Sequence, residues 1–267
     1  MTVQILQVII TAIVFKNKYK IQIQKMHIHP ITNIKEGYYL FNLLKEGADT
    51  PKSTTKSVGY IFKILDLVTS KFTKDELDFA TKLITTAFPK INNLYQKYTN
   101  PDNSGKYLID EHFDLDALKL LPQNTLGKQY HDHILENHFD QDFYKKQMSC
   151  TVNNVVDFYK VRSIKIHDIY HVLSDFETDI YGEFGIQGIY LGQLVNPASL
   201  LVVFDSFAHL LVKLNFDQIG VLLDYILNGY YIGKKSKPLA EVDWEDYFVE
   251  DIDIVRKSFN ININKII

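Results

Sequence analysis

KVRSIKIHDIYHVLSDFETDIYGEFG, residues 160–185, holds two stretches of helical apolar spacing joined by a short polar run. His167 and His171 stand at i and i+4, and at 3.6 residues per turn both imidazoles fall on one helical face. Asp168 lies about 100° round from His167 but three positions before His171, so its carboxylate can lean to the edge of that face. Eleven residues separate His171 from Glu183, and Ser174, Asp175 and Thr178 among them suit a reversal of direction. A helix returning from that turn brings Glu183 back towards the histidines. The stretch therefore predicts a metal site between two helices.

Outward from this stretch the apolar spacing stays mainly helical, from Gly37 to the end. Thr73-Lys-Asp-Glu76 has the form of a capping box, and the helix it opens is expected to bend at Pro89 and stop before Asn100-Pro-Asp-Asn-Ser-Gly105. Within Leu121–Phe139, Asn124 or Thr125 can cap another helix. Further helices are predicted over Val155–Phe176, Ile180–Leu194, Ala198–Asn215, Phe216–Tyr231 and about Trp244–Phe259. ASLLVVFDSFAHLLVKL, from Ala198 to Leu214, is apolar round most of its circumference and reads as a central buried helix. Asp205 and His209, four apart within it, read as a mutually satisfied couple. The fold class is all-α: a single multi-helix domain over residues 35–267, with residues 1–34 as an N-terminal extension.

With 46% apolar and 23% charged residues, the chain has the composition of an ordinary globular protein, which excludes disordered, collagen-like and disulfide-scaffold classes. Cys150 is the single cysteine, so an internal disulfide, a thiolate zinc ribbon and a CxxC redox pair are all excluded; it reads as a buried, inert thiol. The net charge of -3 divides unevenly: the first 35 residues carry five lysines and no acid, which leaves -8 for the rest. No nucleic acid is expected as a partner. The apolar run Val8–Phe15 is too short to span a bilayer, which takes roughly 20 residues. Followed by Lys16, Lys18, Lys20 and Lys25, it suits either an ordered extension or contact with a membrane surface.

Two imidazoles and two carboxylates without thiolates suit a divalent metal, zinc first, with iron, manganese or magnesium also compatible. If Asp168 orients a water instead of binding directly, a coordination position stays open, as catalysis at a metal requires. Other readings fit less well. A zincin shows HExxH, whereas Asp168 stands in place of the Glu. A phosphohydrolase of the His-Asp type finds a second pair in His131-Asp132, but His131 and His133 are two apart and read as a solvated face. Asp175, Glu177 and Asp179 alternate like a calcium loop without its glycine or distant glutamate, and read as a polar connection.

HDxxH followed after eleven residues by Glu resembles the signature of the coenzyme Q biosynthesis protein 4 family. LPQNTLGKQY at 121–130 is similar to that family's LPxxTLGxxY segment, and Trp244-Glu245 with Asp251-Ile252 and Val255-Arg256 is similar to its C-terminal segment. The resemblance runs from about Lys35 to the end. It implies an all-helical, dimeric protein peripheral to a membrane, on its cytoplasmic side or on the matrix face of the mitochondrial inner membrane. It also implies His167, Asp168, His171 and Glu183 as metal ligands. The activity implied is metal-dependent oxidative decarboxylation at C1 of a prenylated hydroxybenzoate-type lipid in ubiquinone biosynthesis. The alternative is a non-catalytic scaffold that binds prenyl lipid and organises partner biosynthetic enzymes.

Ile164, Lys165 and Ile166 stand where the family usually carries an arginine and an acid, although Arg162 is retained. Lys160, Arg162 and Lys165 can attract an anionic headgroup, or form a solvated basic face. Gly182, Gly185 and Gly188 recur every third residue beside Glu183. They suit either close helix packing or a groove that admits a prenyl or acyl tail towards the metal.

Overall fold

The structure, a computed structural model of the 267-residue chain, describes residues 72–100, 108–141, 151–194, 199, 200, 203 and 216–263. Residues 1–34, Cys150, the Asp205–His209 couple and most of the expected central helix lie outside the described residues. Among the described residues there are nine α-helices and no strand. They are α1 (Lys74–Ala87), α2 (Ile91–Thr99), α3 (Leu115–Lys119), α4 (Leu126–Glu136), α5 (Val155–Lys165), α6 (His167–Ser174), α7 (Ile180–Gln193), α8 (Phe216–Lys235) and α9 (Ile252–Ser258).

Local chemistry sets most boundaries. Thr73 and Glu76 form the expected capping box, each accepting from the other's amide. The chain then breaks around Pro89 between α1 and α2. Thr125, rather than Asn124, caps α4 by accepting from Lys128 N–H. The helix expected over Val155–Phe176 is interrupted at Ile166, where φ -98° and ψ 5° end α5 and start α6 one residue before His167. The Ile166 side chain is fully buried, so the break is packed into the core. The C-terminal helix also divides, into a 3-10 turn at Trp244–Tyr247 and α9, which Asp251 caps.

Two apolar clusters carry the fold. One gathers Ile84, Phe88, Ile91, Leu94 and Phe158 where α1 and α2 meet α5. The larger joins Leu126, Tyr130 and Ile134 of α4 with Ile169, Tyr170 and Leu173 of α6, Ile186 and Ile189 of α7, and Trp244. The LPQNTLG segment docks on the C-terminal segment through main-chain bonds from Leu126 N–H to Glu250 O and Gly127 N–H to Phe248 O, both 2.9 Å. Gly127 is required there, because a Cβ would lie under 3.0 Å from the Phe248 carbonyl.

Helices α7 and α8 approach closely through interlocking glycines. A Cβ at Gly188 or Gly192 would fall under 3.0 Å from main-chain atoms of α8, and one at Gly229 or Gly233 would do the same to α7. Of the two readings of Gly182, Gly185 and Gly188, the contacts fit close packing: a Cβ there would meet the Glu177 main chain, the Phe176 ring and the Ile226–Tyr230 backbone respectively. Close packing, not a lipid channel, uses these glycines.

Arg162 gives a correction. Its side chain has no exposed surface; it donates to both Glu245 carboxylate oxygens (3.3 and 3.1 Å) and to Val242 O (3.0 Å), beneath the Tyr98 ring. Lys160 is also buried, and Lys165 donates to Leu108 O. The three cations therefore form no exposed anion-binding face; Arg162 ties α5 to the C-terminal segment.

Burial alone would raise the Glu245 pKa, but the Arg162 guanidinium outweighs it and brings it from 4.5 to about 2. Because the folded value lies below the unfolded one, the stabilisation is present above about pH 4.5 and is lost as pH falls towards 2. Glu245→Gln is expected to cost on the order of 2 kcal/mol at pH 7. Urea midpoints of the two proteins should converge as pH drops below 4; a constant gap down to pH 2.5 would contradict the assignment.

Candidate metal centre

Helix α6 presents His167 in its first turn and His171 one turn on, as the four-residue spacing requires. The reversal after α6 uses Asp175 in the left-handed region, φ 59°, and Asp179, whose carboxylate caps α7 by accepting from Gly182 N–H at 2.8 Å. That turn explains the acids at 175 and 179 and delivers Glu183 in the first turn of α7, facing the histidines.

The three side chains converge. His167 Nε2 lies 3.1 Å from Glu183 Oε2, His171 Nε2 lies 3.4 Å from Glu183 Oε1, and the two Nε2 atoms are 3.2 Å apart. His171 Nδ1 is 2.9 Å from Phe176 O, an acceptor only, so Nδ1 carries the proton and Nε2 a lone pair. Tyr190 donates its hydroxyl proton to Ser163 O at 2.7 Å, which leaves its oxygen to accept from His167 Nδ1 at 3.5 Å. With Nδ1 as the protonated nitrogen, each neutral imidazole can thus offer an Nε2 lone pair to an ion bound beside Glu183.

Two imidazole nitrogens 3.2 Å apart need a proton or a metal ion between them. Two ligand atoms on one tetrahedral zinc are about 3.3 Å apart, given bonds of 2.0–2.1 Å. All three observed separations are close to that figure, and His167, His171 and Glu183 form a group that can hold a metal ion. Burial by itself would raise the Glu183 pKa, but the two imidazoles hold its carboxyl far below the usual range. For His167 the burial effect is likewise outweighed, by Glu183 and Asp168, and its pKa is raised. Metal uptake should therefore displace a proton from the His167–Glu183 pair. The His171 side chain is fully buried, while His167 and Glu183 stay 24% and 21% exposed, so the group opens towards solvent on their side.

Asp168 stands apart from this trio. Its Oδ1 lies 3.9 Å from Nε2 of His133, a residue of α4 whose ring stacks on His171 at 5.7 Å. The reading of His131 and His133 as a solvated face is therefore overturned: His131 is buried and His133 is 14% exposed. The sequence carried the signal, since Gly127 and His131 are four apart, as are Tyr130 and Ile134, and all four face the core. Asp132 is bonded to Lys128, to Gln123 and, at 2.8 Å, to Nδ1 of its neighbour His131. That pair is not part of a second group able to hold a metal ion among the described residues.

Fold and site together define an all-helical protein with a group of two histidines and one carboxylate, able to hold a metal ion, at the seam of adjacent helices. The profile of the family described as "Coenzyme Q (ubiquinone) biosynthesis protein Coq4" matches residues 79–265, and the chain belongs to that family. The mitochondrial ubiquinone biosynthesis protein COQ4 homolog of Aedes aegypti is 25% identical over 68% of this chain and 67% of its own length. The mitochondrial COQ4 of Candida tropicalis is 28% identical over 66% of this chain and 56% of its own length, so the chain spans little more than half of that relative. A crystal structure from Nostoc punctiforme, of a protein described as a candidate for ubiquinone biosynthesis, superposes with a TM-score of 0.64 at 22% identity; it covers 86% of this chain and 99% of its own, and establishes shared fold.

Proposed function

We propose that this protein acts in ubiquinone biosynthesis as a metal-dependent enzyme that removes the C1 carboxyl of a prenylated hydroxybenzoate-type lipid. A hydroxyl takes the place of the carboxyl, which leaves as carbon dioxide; this is a two-electron oxidation and needs an oxidant from outside the protein. The observation that carries the reading is the convergence of two Nε2 atoms and a carboxylate at 3.1–3.4 Å, open on one side. His167, His171 and Glu183 would hold the metal, with Asp168 beside them. A divalent ion there supplies Lewis-acid withdrawal of charge from a bound ring oxygen or carboxylate. Three protein ligands leave a four-coordinate ion one position for that oxygen.

The chain's own residues prepare the site. Phe176 O accepts from His171 Nδ1 and the Tyr190 hydroxyl faces His167 Nδ1, which turns both Nε2 atoms towards Glu183. Among the described residues no helix is long and apolar enough to cross a membrane, in keeping with access to a lipid substrate from the membrane surface. Zinc is the first expectation for the ion.

The test is turnover by the purified full-length chain. Metal-loaded protein given a prenylated hydroxybenzoate and an oxidant should form the C1-hydroxylated product, seen by mass spectrometry, and chelator-stripped protein should not. Equal turnover after stripping would sink the metal-dependent reading. Retention of prenyl lipid with no product in any metal state would favour the scaffold role.

A further inference from the structure

His133 is the one imidazole at the site that the trio does not use. Its Nε2 is buried and has no hydrogen-bond partner among the described residues. An imidazole nitrogen left so costs about 1–3 kcal/mol, and a position that carries such a cost needs a reason. The ring is not loosely placed: it stacks on His171 at an interplanar angle of 24°, and Phe139 makes an edge contact with it at 5.8 Å. That clamp aims Nε2 at the Asp168 carboxylate, 3.9 Å away and itself next in sequence to His167. A shift of about 1 Å in either side chain brings the two to ordinary hydrogen-bond distance.

We propose that His133 is a positioning residue of the metal centre, holding Asp168 against the outer edge of the His167, His171 and Glu183 group so that the pair acts as a unit on a cation bound there. The proposal rests on the metal reading above. It gives α4 a share in a site that the sequence places on α6 and α7 alone. It also gives Asp168 a function that does not need its oxygen among the three converging ligand atoms. Residues of this kind, bonded to groups around a metal, commonly alter affinity by 10–100-fold when removed. A ring that merely fills space beside His171 would not, because phenylalanine fills the same space.

The probe is Co(II) alone, titrated into the metal-stripped full-length chain and followed by its visible absorption. His133→Phe keeps both ring contacts and removes the nitrogens; it is expected to weaken Co(II) binding about tenfold or more and to change the absorption band. Asp168→Ala should do the same, and the double variant should be no worse than either single one, because both remove one interaction. His133→Gln, which retains an N–H donor, should recover most of the affinity. Wild-type affinity and spectrum in His133→Phe, or effects that multiply in the double variant, would overturn the positioning role. If His133→Phe does not fold, His133→Met takes its place in the cycle with the same criteria. His171→Ala separates the two readings: Co(II) binding unchanged in that variant means the metal reading has failed, whereas loss there with none in His133→Phe means only the positioning role has.

Discussion

His171→Ala is expected to leave a folded protein whose zinc affinity has dropped at least about a hundredfold. Structural zinc sites bind with roughly 10–16 kcal/mol shared by four ligands, so each ligand carries about 3 kcal/mol, or about two powers of ten. His171 is the candidate ligand with the least latitude. Its ring is fully buried, its Nδ1 is held by Phe176 O, and its Nε2 faces both His167 and Glu183. A second effect accompanies the loss, because the Phe176 carbonyl is left without its donor, at a cost of about 1–3 kcal/mol in stability. Competition against a chromophoric chelator gives the affinity, and elemental analysis gives the occupancy. Wild-type occupancy in the variant would place the metal elsewhere in the chain.

The largest effect on stability is expected at Gly188. Gly188→Val should prevent folding or remove more than about 4 kcal/mol, since the added Cβ meets main-chain atoms of Ile226, Gly229 and Tyr230, which have no alternative rotamer to adopt. Gly220, in the first turns of the same neighbouring helix, supplies the control. No described heavy atom lies within 4 Å of a Cβ there, so Gly220→Ala should stabilise the protein by about 0.4–1 kcal/mol through reduced freedom of the unfolded chain. Thermal unfolding of both variants checks the pair. A mild change at Gly188 would mean that α7 and α8 are not in backbone contact.

The helical class, the capping box at Thr73 and the pairing of His167 with His171 were legible because each rests on neighbours within a few residues. Glu183 was legible because eleven residues suffice for one turn and a return. What escaped depends on which helices meet. Nothing within ten residues of His133 says that α4 packs beside α6, so a histidine two positions from another looked solvated. The glycines posed the same difficulty: their spacing marks a bare helix face without saying whether lipid or backbone covers it. Arg162 looked like a free cation because its partner Glu245 is 83 positions away. The break at Ile166 likewise has no Pro or Gly to announce it.

The contact between α7 and α8 also limits how the site can change over generations. Sliding α7 by one residue would put Cβ atoms where Gly188 and Gly192 now lie against main chain, so Glu183 is anchored to a wall that tolerates almost no translation. The opposite wall, made of side chains from α6 and α4, can be resized by single substitutions at lower cost. Retuning towards a larger or smaller ion should therefore accumulate around Asp168 and His133, while the carboxylate at 183 stays where the glycines put it.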